Sequence, residues 1–356
     1  MAPKHVTSGI ALAAQHDAAG RHDDAVNELA LATQLGDLDA TTELGKRLIV
    51  GDRAPLLPVD GARFLVEAMS KGHAEAALRL ATLTALGAHI EHSWSGALKL
   101  AVFAAERGSV DAQNQLLVLA DASTAPQAGH WRGLADRIDL GAWLTASAGT
   151  TLCAQPLIRA FPEFVSDRAC DWLIGRARGN LKRALIYDPE SGGDVADHMR
   201  TNSAAGFDLV TADLVQIALQ HRMASAVGLP VHNMEGPTVL HYAVGQQITN
   251  HFDFVNPKVP SYEEEIERRG ERIITFLVYL NDDYGGGETD FPKVGVRHKG
   301  RRREGLFFTN ALPTGGPDLR MVHAGLPPTS GEKWIVSQFI RNRPALNARA
   351  ARFAGA

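Results

Sequence analysis

The chain has 356 residues, enough for two domains that each bury a core. With 45% hydrophobic and 21% charged residues it has the composition of a soluble globular protein, and a net charge of −4 argues against a surface devoted to nucleic acid. The two cysteines, Cys153 and Cys170, cannot make a disulfide framework, so a reducing compartment is expected.

Residues 1–19 hold short apolar runs broken by His5, Gln15, His16 and Asp17. This is not the pattern of a secretory signal, and no stretch approaches the ~20 apolar residues of a membrane span. A cytoplasmic location is expected, with no membrane or nucleic-acid partner.

From about residue 20 the chain repeats with a period of 36. Gly36, Gly72 and Gly108 are each preceded four residues earlier by Ala32, Ala68 and Ala104, and followed four residues later by Ala40, Ala76 and Ala112. Acidic residues recur at plus three (Asp39, Glu75, Asp111) and leucines at plus eight (Leu44, Leu80, Leu116). Gly51 and Gly87 recur at plus fifteen, where the third copy has Ser123. Small residues let helices approach closely, and glycine ends a helix in the left-handed conformation. The period therefore predicts helix–turn–helix units that bury their faces only by stacking on one another. Residues 121–150, rich in Ala, Ser and Gly, read as a connector with a helix around 131–144.

From about residue 155 the character changes. Ser166 and Asp167 can cap a helix running through Cys170, Leu173 and Ile174, and residues 213–227 read as a second helix. After Pro230 the runs become strand-like, at 238–244, 272–280, 304–310, 321–324 and 333–341, separated by Gly and Pro. Helices followed by many short strands predict a double-sheet jelly roll with helices packed on one side. The fold class is thus α + β and multidomain: an α-solenoid, then a β-rich domain.

The chemistry concentrates in that second part. His251 and Asp253 are two residues apart, so in an extended segment they face the same way and can bind one ion. His323, 72 residues later on another predicted strand, would supply a third donor. Two imidazoles and a carboxylate are the set that holds non-haem Fe(II) with positions left open. Zinc favours a tetrahedral set with more sulfur or histidine, and both cysteines lie far from the motif. Lys333, ten residues past His323, is the cation such a site needs for a dicarboxylate. A His-x-Asp pair alone is more often structural, so the surrounding residues decide. His298, Lys299 and Arg301–Arg303 read as a charged turn between strands, and His241 as structural, facing away from Tyr242. Gly285–Gly287 lacks the Gly-Lys-Ser/Thr of a phosphate loop.

Two resemblances cover most of the chain. The small and leucine positions of residues 20–120 resemble the Sel-like branch of the tetratricopeptide-related repeats. That resemblance implies an α-solenoid that binds peptides or proteins, a role in stabilising the catalytic domain being the simpler alternative. In the second part, Tyr242, Gly245, Gln246, Ile248, His251 and Asp253 resemble the Tyr-x-x-Gly-Gln-x-Tyr-x-x-His-x-Asp segment of the prolyl 4-hydroxylase family of Fe(II)/2-oxoglutarate dioxygenases. The run from Arg272 to Asn281, then Gly286-Gly287-Glu288-Thr289-Asp290-Phe291-Pro292, is similar to that family's core strand and following turn. His323-Ala324-Gly325 and Gly331-Glu332-Lys333-Trp334 resemble its last ligand and co-substrate lysine, and Arg200-Thr201-Asn202-Ser203 its lead-in.

The resemblance implies His251, Asp253 and His323 as Fe(II) ligands and Lys333 as partner of the far carboxylate of 2-oxoglutarate. It implies Tyr242 and Tyr279 as hydroxyl donors to that co-substrate, with Thr275 lining the pocket. The implied reaction is oxidative decarboxylation of 2-oxoglutarate to succinate coupled to hydroxylation of a C–H bond, with ascorbate as a reductant for the iron. Asp253, where Ala or Gly would leave room for halide, points to hydroxylation. The implied substrate is a prolyl residue of a peptide or protein, with docking by the repeats. A free amino acid or small molecule, or a repeat scaffold with a sensor dioxygenase domain, are the alternatives. Ile248 stands where the family has a second tyrosine, which puts prolyl specificity in question. The insertion at 256–270, with Glu263–Glu265, reads as a lid or as a solvated loop with a short helix. The expected boundaries are 1–125 for the repeats, 126–154 for a connector, 155–345 for the dioxygenase domain and 346–356 for a tail.

Overall fold

The structure, a computed structural model, describes residues 8–127, 130–188, 193–195, 197–255 and 260–344. The expected tail at 346–356 lies outside the described residues, as do residues 256–259 of the insertion. The chain divides into two compact units. Among the described residues, those up to Ile138 form one together with Asp208–Ile217, and Asp139–Phe207 with those from Ala218 on form the other.

The first unit is helical. Its helices are Gly9–Ala18 (α1), His22–Gln34 (α2), Leu38–Val50 (α3), Pro58–Ser70 (α4), Ala74–Leu86 (α5), Trp94–Glu106 (α6), Val110–Leu119 (α7) and the short Trp131–Ala135 (α8). Helices α2, α4 and α6 start 36 residues apart, as do α3, α5 and α7, so the sequence period is a structural period. The turn inside each pair passes through Gly36, Gly72 or Gly108, all with φ between +84° and +95°. Asp37, His73 and Ser109 then cap the second helix of each pair by accepting from the N–H three residues on. The recurring acidic residue follows in that helix's first turn, where the dipole favours it. The repeated alanines are buried: Ala40, Ala76, Ala112, Ala68 and Ala104 are all fully inaccessible.

Close approach explains one further pair of small residues. A Cβ on Gly45 of α3 would lie 2.9 Å from the Gly61 carbonyl, and one on Gly61 of α4 would meet the Gly45 carbonyl and Ile49. Gly61→Val is expected to force α3 and α4 apart at a cost of about 3 kcal/mol, the upper end for overpacking. Thermal melts followed at 222 nm would show it as an earlier loss of helix.

The second unit begins with Leu140–Leu144 (α9), so the helix expected around 131–144 is two short ones, broken across Asp136–Asp139. The expected connector is structured at both ends: Trp131 and Leu134 are buried in the first unit, and Thr150–Cys153 is a strand. The remaining helices are Asp167–Arg178 (α10), Leu214–Val227 (α11) and Pro260–Arg269 (α12). Ser166 caps α10 as expected, accepting from Ala169 N–H.

Strands in chain order are Thr150–Cys153 (β1), Ile158–Phe161 (β2), Lys182–Arg183 (β3), Ile186–Asp188 (β4), Gly193–Val195 (β5), Ser203–Gly206 (β6), Thr238–Tyr242 (β7) and Ile248–His251 (β8). They continue with Arg272–Tyr279 (β9), Gly285–Gly286 (β10), Thr289–Phe291 (β11), Val296–His298 (β12), Gly305–Thr309 (β13), His323–Gly325 (β14), Pro328–Ser330 (β15) and Lys333–Arg341 (β16). The major sheet runs β1-β2-β13-β9-β16-β7-β6-β3 and the minor sheet β12-β11-β14-β8, with every named pair antiparallel. Between them lies one apolar core, in which Phe291 of the minor sheet packs edge-on against Phe308 of the major sheet at 4.9 Å. This is the jelly roll the strand pattern predicts.

The centre of the major sheet is covered on both faces, which is why β9 and β16 read as nearly continuous apolar runs. Leu277, Tyr279 and Ile335 point into the core between the sheets. On the other face Gln338 of β16 accepts a hydrogen bond from Gln220 of α11 (2.9 Å). Two members of the basic cluster are anchored within the domain. Arg302 donates to Asp167 (2.6 Å), Asp171 (2.8 Å) and the Leu280 carbonyl (3.0 Å), and Lys299 to the carbonyls of Tyr284 and Gly286. Among the described residues no helix is long and apolar enough to cross a membrane.

Candidate active site

His251 ends β8 and His323 opens β14, and these two strands pair with the histidines directly opposite each other. The rings lie 4.3 Å apart. Asp253, two residues past His251, swings its carboxylate between them, with Oδ1 3.4 Å from His251 Nε2 and Oδ2 3.3 Å from His323 Nε2. One ligand atom from each residue falls within 4.8 Å of the other two, the only such group among the described residues.

The ring orientations are set from behind. Nδ1 of His251 lies 2.8 Å from the Thr249 carbonyl, and Nδ1 of His323 lies 3.0 Å from the Met321 carbonyl. A carbonyl can only accept, so each Nδ1 carries a proton, and Nε2 is the atom each ring turns to the common point, where without a metal it can donate to Asp253. Burial alone would raise the Asp253 carboxyl, but the two imidazoles hold it well below the usual carboxylate range. With a metal in place of the shared protons, the donors would be an ionised carboxylate and two Nε2 lone pairs. That set, with no sulfur and with sides left open to a cavity, fits Fe(II).

The cavity is about 840 Å³ and is lined by alternate residues of the major sheet, Leu240 and Tyr242 of β7, Thr275 and Leu277 of β9, and Lys333 and Ile335 of β16 among them. The period-two pattern of strands thus delivers Lys333 and Tyr242 to the same wall, and they are paired directly across β16 and β7. Lys333 is 1% exposed, and no carboxylate lies within ion-pair distance of it among the described residues. Burial pushes its ammonium down to about 7; the Glu288 carboxylate pulls the other way from beyond ion-pair distance, and Lys299 adds to the lowering. A buried cation without a counter-ion is costly, so this wall calls for an anionic ligand.

The other expected site residues are placed as follows. Tyr242 is buried, lines the cavity, and lies with its ring centroid 5.2 Å from Lys333 Nζ; burial pushes its hydroxyl up to about 12. Tyr279 is fully buried behind the wall, and its hydroxyl is engaged with Thr289 Oγ1 at 2.9 Å rather than opening into the cavity. Thr275 does line the cavity, but its hydroxyl donates to Asp253 Oδ2 (2.7 Å) while accepting from Asn310 Nδ2 (2.9 Å). It therefore orients a candidate metal ligand, a part that sequence spacing does not reveal. Thr275→Val keeps the shape and removes that bond, and is expected to lower Fe(II) affinity about 10- to 100-fold, the range for lost outer-layer partners of metal ligands. Titration of the protein with Fe(II) under anaerobic conditions measures it. Ile248 also lines the cavity, as an apolar side chain against Gly325. Of the insertion, Tyr262, Glu265, Arg268 and Arg269 of α12 line the cavity, and Arg341 grips Glu265 from β16. His241 faces away, against Glu332 (2.8 Å) and Trp334, as expected.

Comparison with known proteins supplies the family. A family profile described as the 2OG-Fe(II) oxygenase superfamily matches residues 237–341. Two probable prolyl 4-hydroxylases of Arabidopsis thaliana, numbers 7 and 6, are each 31% identical to this chain, over 209 and 213 residues. Both matches cover 54% of this chain, with 64% of the first relative and 72% of the second. The chain belongs to the prolyl 4-hydroxylase family. The profile match falls within the second unit, and the chain spans just under two thirds of the first of those relatives. A viral collagen prolyl hydroxylase from Paramecium bursaria Chlorella virus-1, solved with 2-oxoglutarate, is 28% identical over 52% of this chain and 95% of its own, with a TM-score of 0.41. For the helical part, a Sel1 repeat protein from Oxalobacter formigenes is 22% identical over 32% of this chain and 48% of its own, with a TM-score of 0.28.

Proposed function

We propose that this chain is an Fe(II)- and 2-oxoglutarate-dependent hydroxylase whose substrate is a prolyl residue in a peptide or protein. The observation that carries the reading is the coincidence, in one cavity, of the His251–Asp253–His323 donor set and a buried lysine with no ion-pair partner among the described residues, Lys333. Family membership and the names of the two Arabidopsis relatives support the prolyl substrate.

In this reading His251 Nε2, an Asp253 oxygen and His323 Nε2 hold the iron, and Thr275 and Asn310 keep the carboxylate in place. When bound, the metal supplies the oxidising chemistry that couples decarboxylation of 2-oxoglutarate to C–H hydroxylation. Lys333 binds the far carboxylate, and Tyr242, on the same wall, offers its protonated hydroxyl. Burial keeps that hydroxyl a donor across the working pH range. Tyr279 acts one layer back, through Thr289, which lines the cavity. The apolar wall of Leu240, Leu277 and Ile335 excludes water from the reacting groups. The cavity is several times larger than 2-oxoglutarate needs, and its remainder, bounded by α12, Phe252 and Arg200, would take the substrate. We read the repeats as the docking surface for that substrate, and the low cysteine content as favouring the cytoplasm.

The test is succinate formation from 2-oxoglutarate with Fe(II), ascorbate and air, with and without proline-containing peptides. Stimulation by a peptide that gains one oxygen in mass supports the reading. Turnover unaffected by any such peptide retains the chemistry but moves the substrate to a small molecule. Absence of turnover in metal-loaded protein overturns it.

A further inference from the structure

Lys333 is the first residue of β16, a position where a strand would ordinarily fray. The turn before it passes through Gly331 at φ +70°, and the ladder between β16 and β9 ends with Ile335 opposite Tyr279. One more backbone bond, from Leu280 N–H to the Trp334 carbonyl (2.9 Å), extends the contact before the chain after β9 turns away.

Beyond that point the side chain of Asn281 replaces the missing strand. Its Nδ2 donates to the Glu332 carbonyl (2.7 Å) and its Oδ1 accepts from Trp334 N–H (2.8 Å). These backbone groups belong to the residues on either side of Lys333. The orientation of the amide is dictated by its partners, because Nδ2 also donates to Asp283 Oδ1 (2.6 Å), and an oxygen there would face two acceptors. Asn281 is 8% exposed, so little water competes for these bonds. The side chain of Glu332 is fastened separately, by His241 (2.8 Å) and Arg178 (2.9 Å).

We propose that Asn281 is a positioning residue for Lys333: its amide clamps the two flanking backbone groups and so holds the ammonium in the co-substrate end of the cavity. The inference rests on the reading of Lys333 given above. A lysine that is 1% exposed and has no ion-pair partner among the described residues has every reason to swing out to water if its backbone loosens. On one side β7 holds it through the pairing with Tyr242; on the other side, among the described residues, Asn281 and the Leu280 bond hold the backbone of the same stretch. The candidate iron ligands sit in the other sheet and on the segment after β8, so the clamp acts on one end of the cavity.

The experiment compares wild type, Asn281→Ala and Asn281→Asp. Calorimetry on Mn(II)-loaded protein without oxygen gives the dissociation constants for the metal and for 2-oxoglutarate, and succinate formation gives KM and kcat. Asn281→Asp keeps the size and the bond from Trp334 N–H but sets an acceptor against the Glu332 carbonyl, so it tests the clamp if the alanine variant fails to fold. The expected result is a rise of about 10-fold or more in both Kd and KM for 2-oxoglutarate, on the scale of other outer-layer losses. Mn(II) affinity stays unchanged and kcat moves less than about 3-fold. A folded variant with wild-type affinity for 2-oxoglutarate overturns the inference, as does an equal loss of metal and 2-oxoglutarate affinity, which marks general loosening. Wild-type protein that binds Mn(II) but not 2-oxoglutarate overturns the co-substrate reading itself, and this inference with it.

Discussion

Asp253→Ala is expected to leave a folded protein that binds Fe(II) at least about 100-fold more weakly and forms no succinate above background. Loss of an outer-layer partner already costs 10- to 100-fold in metal affinity, and Asp253 is itself a donor. It is also the one carboxylate in the three-residue group, so two neutral imidazoles would be left to hold a dication. The fold is expected to survive at reduced stability, since the change breaks the buried contacts of the carboxylate with both imidazoles. The side chain that suffers is Thr275, whose hydroxyl loses its acceptor but keeps the donor Asn310. Asp253→Asn separates charge from shape: it can still accept from Thr275 and offer a neutral oxygen, so any iron affinity it lacks relative to wild type measures the charge. Circular dichroism establishes folding and anaerobic Fe(II) titration the affinity. Wild-type iron binding in Asp253→Ala would remove the group from the site.

What was legible in the sequence is what repeats or alternates. The 36-residue period was readable because glycine is needed at the same left-handed turn in each unit, and alanine at the same helix contact. Strand β16 was readable end to end because both its faces are covered, and the buried Lys333 stands at its head. The histidines and Asp253 were readable because metal ligation leaves few choices of residue type.

Other features were hidden because their partners are distant in sequence and their residue types unspecialised. Asn281 finds Glu332 51 residues away, and Asn310 finds Thr275 35 residues away. An asparagine in a sequence carries no sign of either. Arg79 is a similar case in the first unit: it looks like a surface helix residue, yet it is 5% exposed and donates to the carbonyls of Val210 and Ala212. Tyr279 and Thr275 lie on the strand expected over 272–280, but which neighbour each hydroxyl reaches depends on distances that spacing does not encode. The insertion, open between lid and loop in the sequence, is a helix over Pro260–Arg269 whose Glu265 is held by Arg341.

Lys333→Met is expected to make the protein more stable and nearly unable to bind its co-substrate. Methionine fills a similar volume without the charge, and a buried ammonium with no counter-ion opposes folding. In the absence of 2-oxoglutarate the variant should melt a few degrees above wild type. Its Kd and KM for 2-oxoglutarate should rise about 100-fold, from the 2–5 kcal/mol typical when one member of a buried charge pair is removed. The pH dependence has a definite sign. Burial depresses the folded ammonium to about 7, below its unfolded value, so between pH 7 and about 10 the unfolded chain binds a proton that the folded chain lacks. Stability contributed through this group therefore rises with pH across that window in wild type and is flat in Lys333→Met. Binding of the dicarboxylate demands the charged form, so above pH 7 it takes up a proton and weakens as pH rises. Calorimetry in buffers of different ionisation enthalpy reads that uptake directly. An affinity for 2-oxoglutarate that is independent of pH from 6 to 9, or unchanged in Lys333→Met, would place the far carboxylate elsewhere in the cavity.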